Sequence, residues 1–169
     1  MMETLQEKIA EEVVEELKKD PSIVGIEIAG SLVTGDIRPD SDVDLGVISE
    51  SIETHQFIEE YRRGIKIDMS VEPLNMVLQS IETYPFLWYT TILSRIAYDP
   101  QGFLRQIHDR LEDYFENHPE IVEFWEDKLD QMKAAKMRGE EQEGYRSVLD
   151  EAEMKFSEEK RITRKFFQR

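Results

Sequence analysis

The chain has 169 residues, of which 40% are hydrophobic and 34% charged, and it carries a net charge of −16 and no cysteine. Such a composition gives a folded globular protein with one good core and room for a small second one, and it excludes disulfides and thiolate metal sites. It also disfavours a long nucleic-acid partner, whose phosphates demand a cationic surface; residues 1–100 hold 20 acidic side chains against 8 basic ones.

The first predicted element is an amphipathic helix, in which Leu5, Ile9, Val13 and Leu17 recur every four residues until Asp20-Pro21 stops the pattern. Ile23 to Ala29 is a β-rich run ending at Gly30-Ser31, where a strand-to-helix turn with Ser31 as N-cap is expected. A turn-rich stretch containing Gly35, Pro39 and Asp40 leads into a second strand, Val43 to Ile48. A short helix is predicted around Thr54 to Tyr61. The third strand, Ile65 to Val71, alternates strictly between apolar residues and Lys66, Asp68 and Ser70. After Pro73 the pattern is helical, over Leu74 to Ile81 and Phe86 to Ile96. A stripe of Phe103, Ile107, Leu111 and Phe115 follows, then a helix from Pro119 to about Arg138. Gly139 to Gly144 reads as a polar loop, and a last helix is expected from Tyr145 to Phe167. The natural boundary falls near residue 100, with an α/β domain in 1–100 and an all-helical one in 101–169. No apolar run is long enough to span a bilayer and no cleavable apolar leader opens the chain, so the expected location is the cytoplasm.

The stretch that carries chemistry is Gly30 to Leu45. Alternate side chains of a strand share a face, so Asp42 and Asp44 point the same way while Val43 and Leu45 point into the core. Asp68 sits mid-way along another strand whose opposite face is apolar. If these two strands are neighbours, three carboxylates converge on one side of the sheet. Clustered carboxylates repel one another and call for cations. Hard oxygen ligands suit Mg²⁺, with Mn²⁺ able to substitute, and two such ions would stabilise both the attacking and the leaving oxygen of an in-line displacement. Gly30 lets a phosphate approach the backbone, and a helix starting at Ser31 would aim its N–H groups at that phosphate.

Gly30, Ser31, Gly35, Ser41, Asp42, Asp44, Leu45 and Asp68, in that order between matching strands, resemble the DNA polymerase β-like nucleotidyltransferase superfamily. Its small members include the aminoglycoside nucleotidyltransferases and the minimal nucleotidyltransferases found as antitoxins. The resemblance covers roughly residues 20 to 100, including an Ile96-Ala97-Tyr98-Asp99 element. It implies an α+β fold, a short mixed sheet flanked by helices, here followed by the helical C-terminal domain. The implied reaction is attack of a substrate hydroxyl on the α-phosphate of a nucleoside triphosphate, with AMP from ATP the expected nucleotidyl group. By motif match Asp42 and Asp44 bind both metal ions, and Asp68 binds the catalytic one and favours deprotonation of the hydroxyl. Gly30 and Ser31 hold the β- and γ-phosphates, and Ser41 belongs to the same nucleotide-binding set. One departure stands out: many members carry arginine or lysine between the two glycines, where this chain has Leu32, Val33 and Thr34. Charge compensation must then come from elsewhere, for example the helical half or Arg38, which otherwise pairs with its acidic neighbours.

The acceptor is a small molecule or a protein hydroxyl. The rival reading is a nucleotide-sensing or antitoxin-like binding module, whose partner would be a helical ribonuclease toxin encoded separately. Glu72 shares the face of Asp68 and is either solvated or an assisting base. His55, His108 and His118 show no metal-ligand spacing. Trp88, Tyr89 and Trp125 fit a core better than a base-stacking platform. Phe166-Phe167, near a basic chain end, needs a surface to cover, either the catalytic half or a second copy of the chain, the latter giving a homodimer.

Overall fold

Thr4 starts the first helix, α1 (Leu5–Leu17), through a capping box. Its hydroxyl accepts from the Glu7 N–H, and the Glu7 carboxylate accepts from the Thr4 N–H. The main-chain donation, seconded by the Thr4 hydroxyl, holds the Glu7 carboxyl below its ordinary pKa. The computed structural model describes residues 2–140 and 144–157. The buried face of α1 is Gln6, Ile9, Ala10, Val13 and Val14. The stripe is therefore shifted from the one expected: Leu5 is exposed, and the polar Gln6 takes its place.

A five-stranded sheet lies against that face, in the order β3-β4-β2-β1-β5. Its strands are β1 (Ile23–Ala29), β2 (Val43–Ser49), β3 (Gln56–Arg62), β4 (Ile65–Pro73) and β5 (Arg95–Tyr98). β2 and β4 run parallel and every other pair is antiparallel, so the sheet is mixed. Ile28, Val43, Leu45, Ile65, Ile67 and Met69 pack on Ile9, Ala10 and Val13, and Ile23, Ile26, Val47 and Val71 pack on Val14. At roughly 1.5–3 kcal/mol for each large aliphatic side chain removed from water, this layer is what holds α1 to the sheet. The other face of the sheet keeps the alternate, polar residues of β2 and β4.

Two predicted helices are replaced. The short helix expected around Thr54 to Tyr61 is the strand β3, hydrogen-bonded to β4 with Arg62 opposite Ile65. The two residues between them, Arg63 (φ +50°) and Gly64 (φ +80°), both take positive φ, which fits the twist of a tight hairpin. The helix expected over Phe86 to Ile96 breaks into a 3-10 turn (Pro85–Leu87), a short helix α4 (Tyr89–Leu93) and the strand β5. Between β1 and β2 the expected turn is present, with a single helical turn, α2 (Ser31–Thr34). Its N-cap is Gly30 rather than Ser31, which is already helical.

The described residues group into two compact units, those within 1–80 and 90–109 and those within 81–89 and 110–169. In the first, Asp99 caps α5 (Phe103–Glu116) by accepting from the N–H groups of Leu104 and Arg105. Gly25 leaves the space that the Leu104 side chain fills: a Cβ there would stand 2.9 Å from it. The helix α3 (Leu74–Thr83) follows β4. The second unit contains α6 (Pro119–Met137) and α7 (Tyr145–Phe156). Its core is aromatic. Trp125 is fully buried and its indole N–H donates to the Phe86 carbonyl at 2.7 Å; Tyr89 and Phe124 pack against its ring, and Phe115 on Tyr89 and Phe156 on Phe124 and Phe86 extend the cluster. α7 ends at Phe156 with Ser157 extended, short of the helix expected to reach Phe167. Glu141 to Glu143 of the expected loop, the basic chain end and Phe166-Phe167 lie outside the described residues.

Candidate active site

Parallel pairing of β2 with β4 places Asp44 directly beside Asp68, and neighbouring strands stand about 4.8 Å apart. Asp42 shares the parity of Asp44, and one step before the first paired residues, Val43 and Ile67, it falls beside Lys66. The three sequence-predicted aspartates thus share one face, opposite the core. β3 extends the same rows, with Glu59 opposite Asp68, Tyr61 opposite Lys66 and Phe57 opposite Ser70. Phe57 and Tyr61 are 60% and 65% exposed. Tyr61 donates its hydroxyl to Glu59, whose charge raises the phenol pKa.

Lys66 is the neighbour that sequence reasoning passed over. Its ammonium lies 3.2 Å from Asp68 Oδ2 and 3.3 Å from Asp42 Oδ2. Bonding to Asp68 first and Asp42 second raises the lysine pKa far above its ordinary value. The other Asp68 oxygen, Oδ1, is buried and has no hydrogen-bond partner among the described residues. A buried carboxylate oxygen left without a partner is costly, and a bound cation is one way to satisfy it. Among the described residues no group of three carboxylate or imidazole side chains is arranged to hold a metal ion as it stands. The donor set nevertheless fits a hard divalent cation: all its oxygens are carboxylate, a cation already sits between two of them, and the buried Asp68 Oδ1 is still to be satisfied.

Gly30 adjoins this cluster. Its backbone (φ +68°, ψ −145°) lies in a region open essentially to glycine alone. A side chain there would overlap the Asp44 carboxylate, with a Cβ 3.3 Å from Asp44 Cγ and closer still to an oxygen. The Gly30 carbonyl accepts from the N–H groups of Val33 and Thr34, which closes the α2 turn. The loop after α2 is locked from both sides. Ser41 Oγ accepts from the Arg38 N–H at 2.7 Å, and the buried Gln6 amide donates to the carbonyls of Arg38, Pro39 and Ser41. Arg38 is exposed. Gln6 therefore positions the approach to Asp42 from across the chain, and only its place on the 6-9-10-13-14 stripe betrays it in the sequence.

Two further polar clusters share this face. His55 Nε2 lies 2.9 Å from Ser70 Oγ and 3.5 Å from Glu72, whose carboxyl pKa burial raises. Glu27, two residues from the Asp44 partner Ala29, contacts the buried His108 of α5 at 2.5 Å. Neither histidine signals its partner in the sequence, because the contacts join residues far apart in the chain. His118 instead stacks on Tyr114 and bonds its carbonyl, closing the end of α5.

Against curated proteins the sequence finds no match. Among solved structures, a nucleotidyltransferase-like protein from Exiguobacterium sibiricum 255-15 is similar at 10% identity and a TM-score of 0.48. The likeness covers 78% of this chain and 50% of that one, so the chain spans about half that protein's length. The sequence profile described as Nucleotidyltransferase domain matches residues 7–98, from the first turn of α1 to the end of β5. That match takes in the whole sheet and more than half of the chain, and by it the protein belongs to the nucleotidyltransferase domain family.

Proposed function

We propose that this protein transfers a nucleoside monophosphate, AMP from ATP, to a hydroxyl of a small molecule or a protein, and that Asp42, Asp44 and Asp68 drive the transfer. The observation that carries this reading is the register setting Asp44 beside Asp68, with a buried Asp68 oxygen that lacks a partner among the described residues. Residues 1–100 form the catalytic domain in this reading, residues 101–169 the helical one, and the protein acts in the cytoplasm.

Two Mg²⁺ ions, when bound, supply the positive charge that stabilises the attacking and leaving oxygens of the displacement. Asp42 and Asp44 serve as ligands to both, and Asp68 to the catalytic one. Gly30, without a side chain, leaves the space beside Asp44 open to the β- and γ-phosphates, and Ser31 contributes its hydroxyl there. Ser41 holds the loop on which Arg38 is exposed, and Arg38 offers charge to the triphosphate. The acceptor oxygen bonds to the α-phosphorus, the bond from that phosphorus to the pyrophosphate bridging oxygen breaks, and the hydroxyl proton leaves by way of Asp68.

The test is incubation of the protein with Mg²⁺, α-labelled ATP and a cell extract, beside an Asp42→Asn, Asp44→Asn double variant. Label on a metabolite or protein with the wild type alone supports the reading and names the acceptor class. Nucleotide binding without transfer from any of the four triphosphates sinks it and leaves the sensing or toxin-neutralising module.

A further inference from the structure

The Lys66 ammonium bridges the very carboxylates that the proposed reaction assigns to metal ions, and it does so because of register. β4 alternates, so Lys66 and Asp68 share a face. The parallel pairing then sets Lys66 beside Asp42 as it sets Asp68 beside Asp44. A lysine is a point charge on a flexible stem, and this one is part-exposed, so it can leave its position by rotamer changes alone. Asp42 Oδ2 and Asp68 Oδ2 cannot give their full charge to the ammonium and to a divalent ion at once. Lys66 also stands where this chain is otherwise short of cations, since Leu32, Val33 and Thr34 fill the stretch between Gly30 and Gly35.

We infer that Lys66 is an internal counter-ion of the aspartate cluster, that a divalent cation must displace it from Asp42 and Asp68, and that the displaced ammonium then binds the triphosphate. The inference rests on the metal-dependent reading of the aspartates. It assigns Lys66 two effects of opposite sign. Before nucleotide binds, the lysine competes with the metal; once metal and nucleotide are both present, it adds to their binding.

The experiment measures Mn²⁺ binding by electron paramagnetic resonance, with and without a non-hydrolysable ATP analogue, on the wild type and on Lys66→Met. Arg63→Met, which removes the same charge at the hairpin turn, is the control. Lys66→Met is expected to bind Mn²⁺ alone about tenfold tighter than the wild type, and the Mn²⁺–analogue complex about tenfold weaker. Arg63→Met should move neither. The crossing of the two effects is the signature, because a lysine that merely supports the fold would weaken both. Affinities that both fall, both rise or both stay constant overturn the inference. Lys66→Gln, checked like the others by circular dichroism, replaces Lys66→Met if the latter fails to fold. Absence of Mn²⁺ binding from the wild type and all variants, with or without the analogue, would instead take down the metal-site reading itself, and this inference with it.

Discussion

Gly30 and Gly35 look alike in the sequence, each a glycine in a turn, yet the structure gives them unequal work. Both have positive φ, but a Cβ on Gly35 meets nothing within 4 Å, whereas one on Gly30 runs into Asp44. Gly35→Ala should therefore cost about 1–2 kcal/mol in urea unfolding and leave Mn²⁺ binding unchanged. Gly30→Ala should cost about 1–3 kcal/mol in the same assay for backbone strain and also weaken Mn²⁺ binding, because the Asp44 carboxylate must move. Much of the convergence of Asp42, Asp44 and Asp68 was legible: parity puts the first two on one face, a strictly alternating β4 puts the third on its polar side, and the parallel pairing of β2 with β4 completes it. Lys66 and Gln6 were not legible. The first reads as an ordinary polar residue of a half-exposed strand, and the second as a polar residue of a surface helix; only pairing across the chain gives either its partners.

Among the elements, α1 and three of the five strands, β1, β2 and β4, follow their sequence signals closely, whereas β5 lies where a helix was expected and β3 departs most. Phe57, Ile58 and Tyr61 recur at spacings that also suit a helix, and as an edge strand β3 is exposed along most of its length, so it lacks the alternation that marks a half-buried strand. What decides the outcome is the Arg63-Gly64 turn and the pairing surface of β4. Two ion pairs tie that hairpin to α1, Glu16 with Arg62 at 2.7 Å and Glu12 with Arg63 at 2.8 Å. Hydrogen bonding from Arg62 lowers the Glu16 pKa from its ordinary 4.5. The stabilisation from a lowered acid is present above the unfolded value and disappears as pH falls through the folded one. Arg62→Met should accordingly lower the urea midpoint at pH 7, and that loss should shrink as pH is lowered through the folded Glu16 pKa. At the other end of α1, Gln6→Ala strands the carbonyls of Arg38, Pro39 and Ser41 and should cost about 1–3 kcal/mol by urea titration, several times the effect of an exposed α1 substitution such as Glu11→Ala.

For the molecule as a whole, a net charge of −16 is a standing self-repulsion. Raising NaCl from about 0.01 M to about 0.15 M shortens the screening length from about 30 Å to about 8 Å, so the melting temperature measured by a thermal scan should rise over that range. The described helices include none long and apolar enough to cross a membrane. The hairpin turn has one more consequence, and it concerns time. β3 and β4 are neighbours in sequence and can zip together on the microsecond scale, whereas the β2–β4 pairing must bring Asp44 to Asp68 across the intervening β3. During refolding the β-hairpin therefore exists before the aspartates meet. A stopped-flow experiment should find Mn²⁺ capture lagging behind strand formation, and the ion arriving at a nearly finished sheet rather than guiding its assembly.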